Sequence, residues 1–74
     1  MEVYRVVSVY KTYTTSHRFF TKRAAEYNAK RRYEGWHHEA LGWDEEDYTQ
    51  EPAESVRIEV AQIGEWTIVN EQTH

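Results

Sequence analysis

The sequence predicts an α+β fold: an antiparallel β-sheet of three or four strands in β-β-α-β-β order, with one main helix packed on one face. Three observations carry this expectation. Residues 2–13, EVYRVVSVYKTY, are dominated by Val, Tyr and Thr, which suit a pleated surface. Residues 22–33, KRAAEYNAKRRY, are rich in helix formers and lie between a Thr and a Gly. Residues 55–63 and 66–70 read as two strands joined at Gly64-Glu65.

In the first strand, Val3, Val7 and Val9 fall on one side and Tyr4, Val6 and Tyr10 on the other. Both sides are largely apolar, which predicts an interior strand rather than an edge. The polar stretch Thr14 to His17 reads as a turn, with Arg18 to Phe20 returning as a short strand. Thr21 is placed to cap the helix, since its hydroxyl can accept from a free N–H of the first turn. Phe20 and Ala25 stand at the two positions of a hydrophobic staple.

Projected at 100° per residue, Ala25, Ala29 and Tyr33 share a stripe, with Trp36 in line if the helix continues. Two alanines there would let the helix approach a sheet closely. Arg23, Tyr27, Lys30 and Arg31 occupy the far side, and Gly35 is the expected stop.

Residues 34–54 form an irregular acidic connection within a single domain spanning 1–74. A helical turn over His37 to Leu41, closed by Gly42, is one reading of its first part. Pro52, the only proline, argues against a sheet interior there. The second strand pair follows, with Val56, Ile58 and Val60 alternating against Arg57, Glu59 and Ala61. Residues 71–74 read as a polar tail.

Composition narrows the function classes. Seventy-four residues is near the lower limit for a self-supporting core, and without Cys no disulfide or thiolate metal cage can help. Eleven aromatics are the main apolar resource. Arg5 and Lys11 interrupt the N-terminal apolar stretch, so no signal-peptide pattern appears, and no apolar run reaches transmembrane length. The expectation is a cytoplasmic protein with no membrane partner.

The net charge of −4 conceals an asymmetry. Residues 1–33 hold eight Lys/Arg against Glu2 and Glu26, whereas residues 34–74 hold Arg57 against eleven acids. Either the two halves neutralise each other across the fold, or an unbalanced patch faces outward and steers a partner. The helix can also pair Glu26 with Lys22 or Lys30 internally.

The sequence from Lys30 to Asp47, KRRYEGWHHEALGWDEED, concentrates what chemistry there is. His37, His38 and Glu39 are potential metal donors. Adjacent histidines diverge on either a helix or a strand, and the spacing fits no zinc pattern, so no metal is expected. No nucleophile motif, phosphate loop or cofactor fingerprint is visible, and one helix on a small sheet rarely encloses a pocket that separates two carboxyl pKa values. The sequence therefore points to no catalytic residue and no cofactor.

Trp36, Trp43 and Tyr48 lie within or beside Asp44, Glu45, Glu46 and Asp47, an acidic rim around the residue types that anchor protein interfaces. The plainer reading is that one of the two tryptophans plugs the core. A phosphate mimic built from Asp44 to Asp47 with Glu51 and Glu54 is a further reading of the same acids. Arg23, Tyr27, Lys30 and Arg31 form a second face, whose mixture of charge and rings also suits a nucleic-acid-binding module on helix 22–33.

The stretch from Tyr4 to Tyr33, with Phe20 to Glu26 reading Phe-Thr-Lys-Arg-Ala-Ala-Glu, resembles an arrangement in small bacterial and bacteriophage proteins. Size, skewed charge and lack of catalytic residues also resemble phage accessory proteins that inhibit host factors, such as anti-CRISPR proteins or host RNA polymerase inhibitors. The resemblance implies stoichiometric binding to a larger host protein or nucleoprotein in the host cytoplasm, with no turnover. Direct nucleic-acid binding is the alternative. A homodimer is a third option, since both sides of strand 2–13 are apolar.

Overall fold

The computed structural model describes residues 2–38, 42, 48–62 and 65–74, with His38 and Gln62 described by backbone only. It is an α+β structure. In chain order come β1 (Val3–Val9), β2 (Thr14–Phe19), α1 (Lys22–Glu34), β3 (Trp36–His38), β4 (Tyr48–Gln50), β5 (Ser55–Gln62) and β6 (Glu65–Thr73). Four strands make one antiparallel sheet in the order β2-β1-β5-β6, and β3 pairs with β4 in a separate two-stranded sheet.

β1 is interior, flanked by β2 and β5, as its two apolar sides require. Register sets Val6 opposite Ile58 and Ser8 opposite Val56, which puts these side chains on a common face. Ala25 and Ala29 join Val6, Tyr10, Ala53, Val56 and Ile58 in the buried cluster. Tyr4, Phe19 and Tyr33 pack at its margin. With methyl-sized side chains on the helix, the backbone can approach the valines closely, so a core with no Leu or Phe at its centre among the described residues still fills.

On the other face, Arg5 lies opposite Glu59 and Arg18. Arg5 Nη2 stands 2.8 Å from Glu59 Oε1, and the Glu59 side chain is 9% exposed. Arg57 Nε adds a longer contact at 3.6 Å. Arg5 also lies over the Trp66 ring at 4.0 Å, with Arg18 at 5.8 Å. Two guanidiniums facing each other across strands repel, and Glu59 offsets this.

α1 begins as its cap dictates. Thr21 is extended, and its hydroxyl accepts from the Ala24 N–H at 3.2 Å. The staple does not form as expected: Ala25 is buried but Phe20 is 75% exposed. Glu26 makes no ion pair with Lys22 or Lys30 among the described residues. Gly35 ends the helix at φ 78°, its N–H donating to Arg31 O at 2.8 Å.

Three sequence expectations are corrected. The first strand stops at Val9, and the reversal falls at residues 10–13, where the Tyr10 N–H donates to Tyr13 O and the two rings stack at 4.7 Å. Thr14 to His17 are strand, because threonines favour a pleated edge once β1 offers a partner. Residues 71–73 continue β6 through Gln72 and Thr73, opposite Val56 and Ser55. Cross-strand hydrogen bonds extend a strand through polar residues that lack any periodic signal of their own. A register shift between Ile58 and Glu59 leaves Val69 as the extra residue of β6.

The chain is also stitched at the helix C-terminus. Ala53 N–H donates to Arg32 O at 2.8 Å, and the His74 ring stacks on Tyr33 at 3.9 Å. Among the described residues no helix is long and apolar enough to cross a membrane.

Candidate partner-binding site

The solvent side of α1 carries Arg23, Tyr27, Lys30 and Arg31, all exposed. Tyr27 and Arg31 are one turn apart and therefore neighbours on the helix surface. Gly35 then turns the chain out of the helix in a single residue. Its positive φ is one a side chain rarely adopts, and a Cβ there would lie 2.8 Å from Gln50 O. This close approach seats β4 against the helix end.

β3 follows immediately. Trp36 lies opposite Gln50, and Tyr48 opposite His38. Trp36, Gln50 and Tyr48 therefore share one side of the two-stranded sheet. The Trp36 and Tyr48 rings meet at 5.0 Å with a 46° tilt. Tyr48 Oη donates to Gln50 Oε1 at 3.0 Å, which holds the phenol along its own strand. On the opposite side His37 Nδ1 and Thr49 Oγ1 are 2.7 Å apart.

The Arg31 guanidinium joins the two elements. It lies 4.7 Å from the Trp36 ring centroid and 5.9 Å from that of Tyr27. Both are within cation–π range, each worth about 0.5–1 kcal/mol at an exposed site. The result is a continuous surface of Tyr27, Arg31, Trp36 and Tyr48. Tyr27 is 65% exposed and Tyr48 50% exposed, while Trp36 is half-buried.

The sequence reading puts Arg31 and Trp36 in separate patches, and the structure brings them together. The five-residue spacing across Gly35 is the one local signal that could have suggested it. Trp36 is absent from the buried cluster, so it does not plug the core. The helical turn expected over His37 to Leu41 is corrected at its start, since His37 and His38 are strand. Glu39 to Leu41 fall outside the described residues, as do Trp43, Asp44, Glu45, Glu46 and Asp47. Arg23 and Lys30 are exposed without an ion pair or ring contact among the described residues.

His17 and His74 are each held by a hydrogen bond within the chain. His17 Nε2 accepts from Arg32 Nη2 at 3.1 Å, and His74 Nε2 donates to Tyr33 O at 2.9 Å. Among the described residues no group of three His, Asp or Glu could hold a metal ion. No protein-family model, curated protein or solved structure matches this chain.

Proposed function

We propose that this chain is a small non-catalytic binding protein that occupies a surface of a larger host protein or nucleoprotein, in the manner of a phage-type inhibitor. The reading takes a β-β-α-β-β core with α1 on one face as the scaffold and the α1–β3–β4 surface as the contact. One observation carries it: the Arg31 guanidinium bridges Tyr27 and Trp36, and Trp36 meets Tyr48. Trp, Tyr and Arg are the residue types that most often supply interface energy. Holding them against one another before a partner arrives reduces the ordering cost of binding.

The test is affinity capture from bacterial lysate with wild type, Trp36→Ala/Tyr48→Ala and Lys22→Ala as a surface control. A host protein recovered by wild type and by Lys22→Ala but lost from the double variant supports the reading. Identical recovery by all three removes this surface from consideration.

A second reading is a nucleic-acid-binding module on α1. Lys22, Arg23, Lys30 and Arg31 are exposed, and none is paired with an acid among the described residues. A mobility shift across a salt series separates the two, because each phosphate contact steepens the loss of affinity with salt by about 0.9 in log–log slope. No shift on DNA or RNA at low salt discards it.

A further inference from the structure

A cleft of about 450 Å³ lies between the turn at residues 10–13 and the segment 48–54. This volume is within the range of small-ligand sites, about 300–1,000 Å³. Tyr10, Tyr13 and Tyr48 contribute rings to its lining, and Glu51 and Glu54 contribute carboxylates. Among the described lining residues Lys11 is the one base, and Arg32 Nη1 donates to the Tyr10 hydroxyl at 3.5 Å.

We propose that this cleft receives the guanidinium group of an arginine carried by a partner protein. The site shares β4, Tyr48 to Gln50, with the surface described above, and takes the rest of its lining from residues 10–13 and from Glu51, Pro52 and Glu54. The partner-binding reading is needed only to say where the arginine comes from.

The lining chemistry selects this occupant. Tyr10 and Tyr13 stack on each other at 4.7 Å with planes 20° apart, which braces the half-exposed Tyr13 ring against the buried Tyr10. Tyr10 is buried at the base, whereas Tyr13 and Tyr48 are about half exposed at the rim. A guanidinium is planar and weakly hydrated, so it stacks on such rings while its edges donate to carboxylates. Glu51 and Glu54 are exposed and make no ion pair among the described residues. They outnumber Lys11, so an anion is repelled. An ammonium would satisfy the charge but could not stack in the same planar fashion.

The experiment is an NMR amide-shift titration with argininamide, run beside lysinamide at constant ionic strength. Argininamide is expected to give saturable shifts confined to residues 10–13 and 48–54, with millimolar affinity. Tyr13→Ala should weaken binding about three- to fivefold. Glu51→Gln/Glu54→Gln should weaken it about three- to tenfold. Lys11→Ala should tighten it by removing the competing ammonium, and as an exposed substitution it carries little folding risk.

Equal affinity for lysinamide, absence of saturable shifts in folded wild type, or indifference to the paired glutamine substitutions would each overturn the assignment. Because Tyr48 belongs to both sites, Trp36→Ala alone, which leaves the cleft lining intact, is the lysate variant that bears on the α1–β3–β4 surface without touching the cleft.

Discussion

Replacing Gly35 by alanine tests the junction on which the Arg31–Trp36 contact depends. Gly35 sits at φ 78° and ψ 170°, a region essentially reserved for glycine, where other residues cost about 1–3 kcal/mol. The added Cβ would also stand 2.8 Å from Gln50 O and 3.0 Å from both Pro52 Cδ and Pro52 N. Backbone and a proline ring cannot step aside as a flexible side chain would. The combined cost is therefore about 2–4 kcal/mol, a large share of the roughly 5–15 kcal/mol typical of a folded domain.

In a domain of this size each kcal/mol lowers Tm by about 4–8 °C, so a fall of about 8–32 °C is expected. Urea unfolding should show a lower midpoint with an unchanged slope. Gly42→Ala is the internal control, because no described residue lies within 4 Å of its added Cβ, and it should cost less than about 0.5 kcal/mol. The Trp36 and Tyr48 ring protons should lose their mutual ring-current shifts as β3 and β4 move. A loss at Gly35 no larger than that at Gly42 would refute the argument that this turn is conformationally constrained.

Thr21→Ala removes the acceptor for the Ala24 N–H and should cost about 1 kcal/mol by urea unfolding, with Thr21→Ser restoring most of it. Glu59→Gln leaves Arg5 facing Arg18 without a compensating charge. A loss of about 1–3 kcal/mol is expected, and it should shrink as added salt screens the repulsion; a deficit that grows with salt would contradict this. The Tyr4 hydroxyl donates to the Glu2 carboxylate at 2.7 Å, which raises the phenol above its ordinary 10.0. Because the folded value is the higher one, the contribution is present below the unfolded pKa and is lost as pH climbs through the folded one. Tyr4 ring resonances followed by NMR should titrate above pH 10 in wild type and at lower pH in Glu2→Gln; coincident curves would exclude the hydrogen bond as the cause.

The sequence by itself determined the elements whose signals are local. Thr21 and Gly35 mark α1 because capping involves atoms within four residues of the cap. Alternation marks β5 and the two sides of β1, because strand side chains alternate whatever the partner. The alanine stripe likewise anticipated which helix side is buried.

Tertiary structure decided everything set by pairing. Whether Thr14 to His17 turn or extend depends on β1 lying alongside, and β6 reaches Thr73 because Ser55 and Val56 are there to pair with. The same holds for the candidate site. The five-residue spacing across Gly35 hints that Arg31 can reach Trp36, but nothing near Trp36 along the chain says that Tyr48 will lie 5.0 Å away. Those contacts arise because a backbone turn at Gly35 and hydrogen bonds between β3 and β4 close loops whose ends carry no mutual signal. Composition could name the rings and charges, but only chain closure could assemble them into one surface.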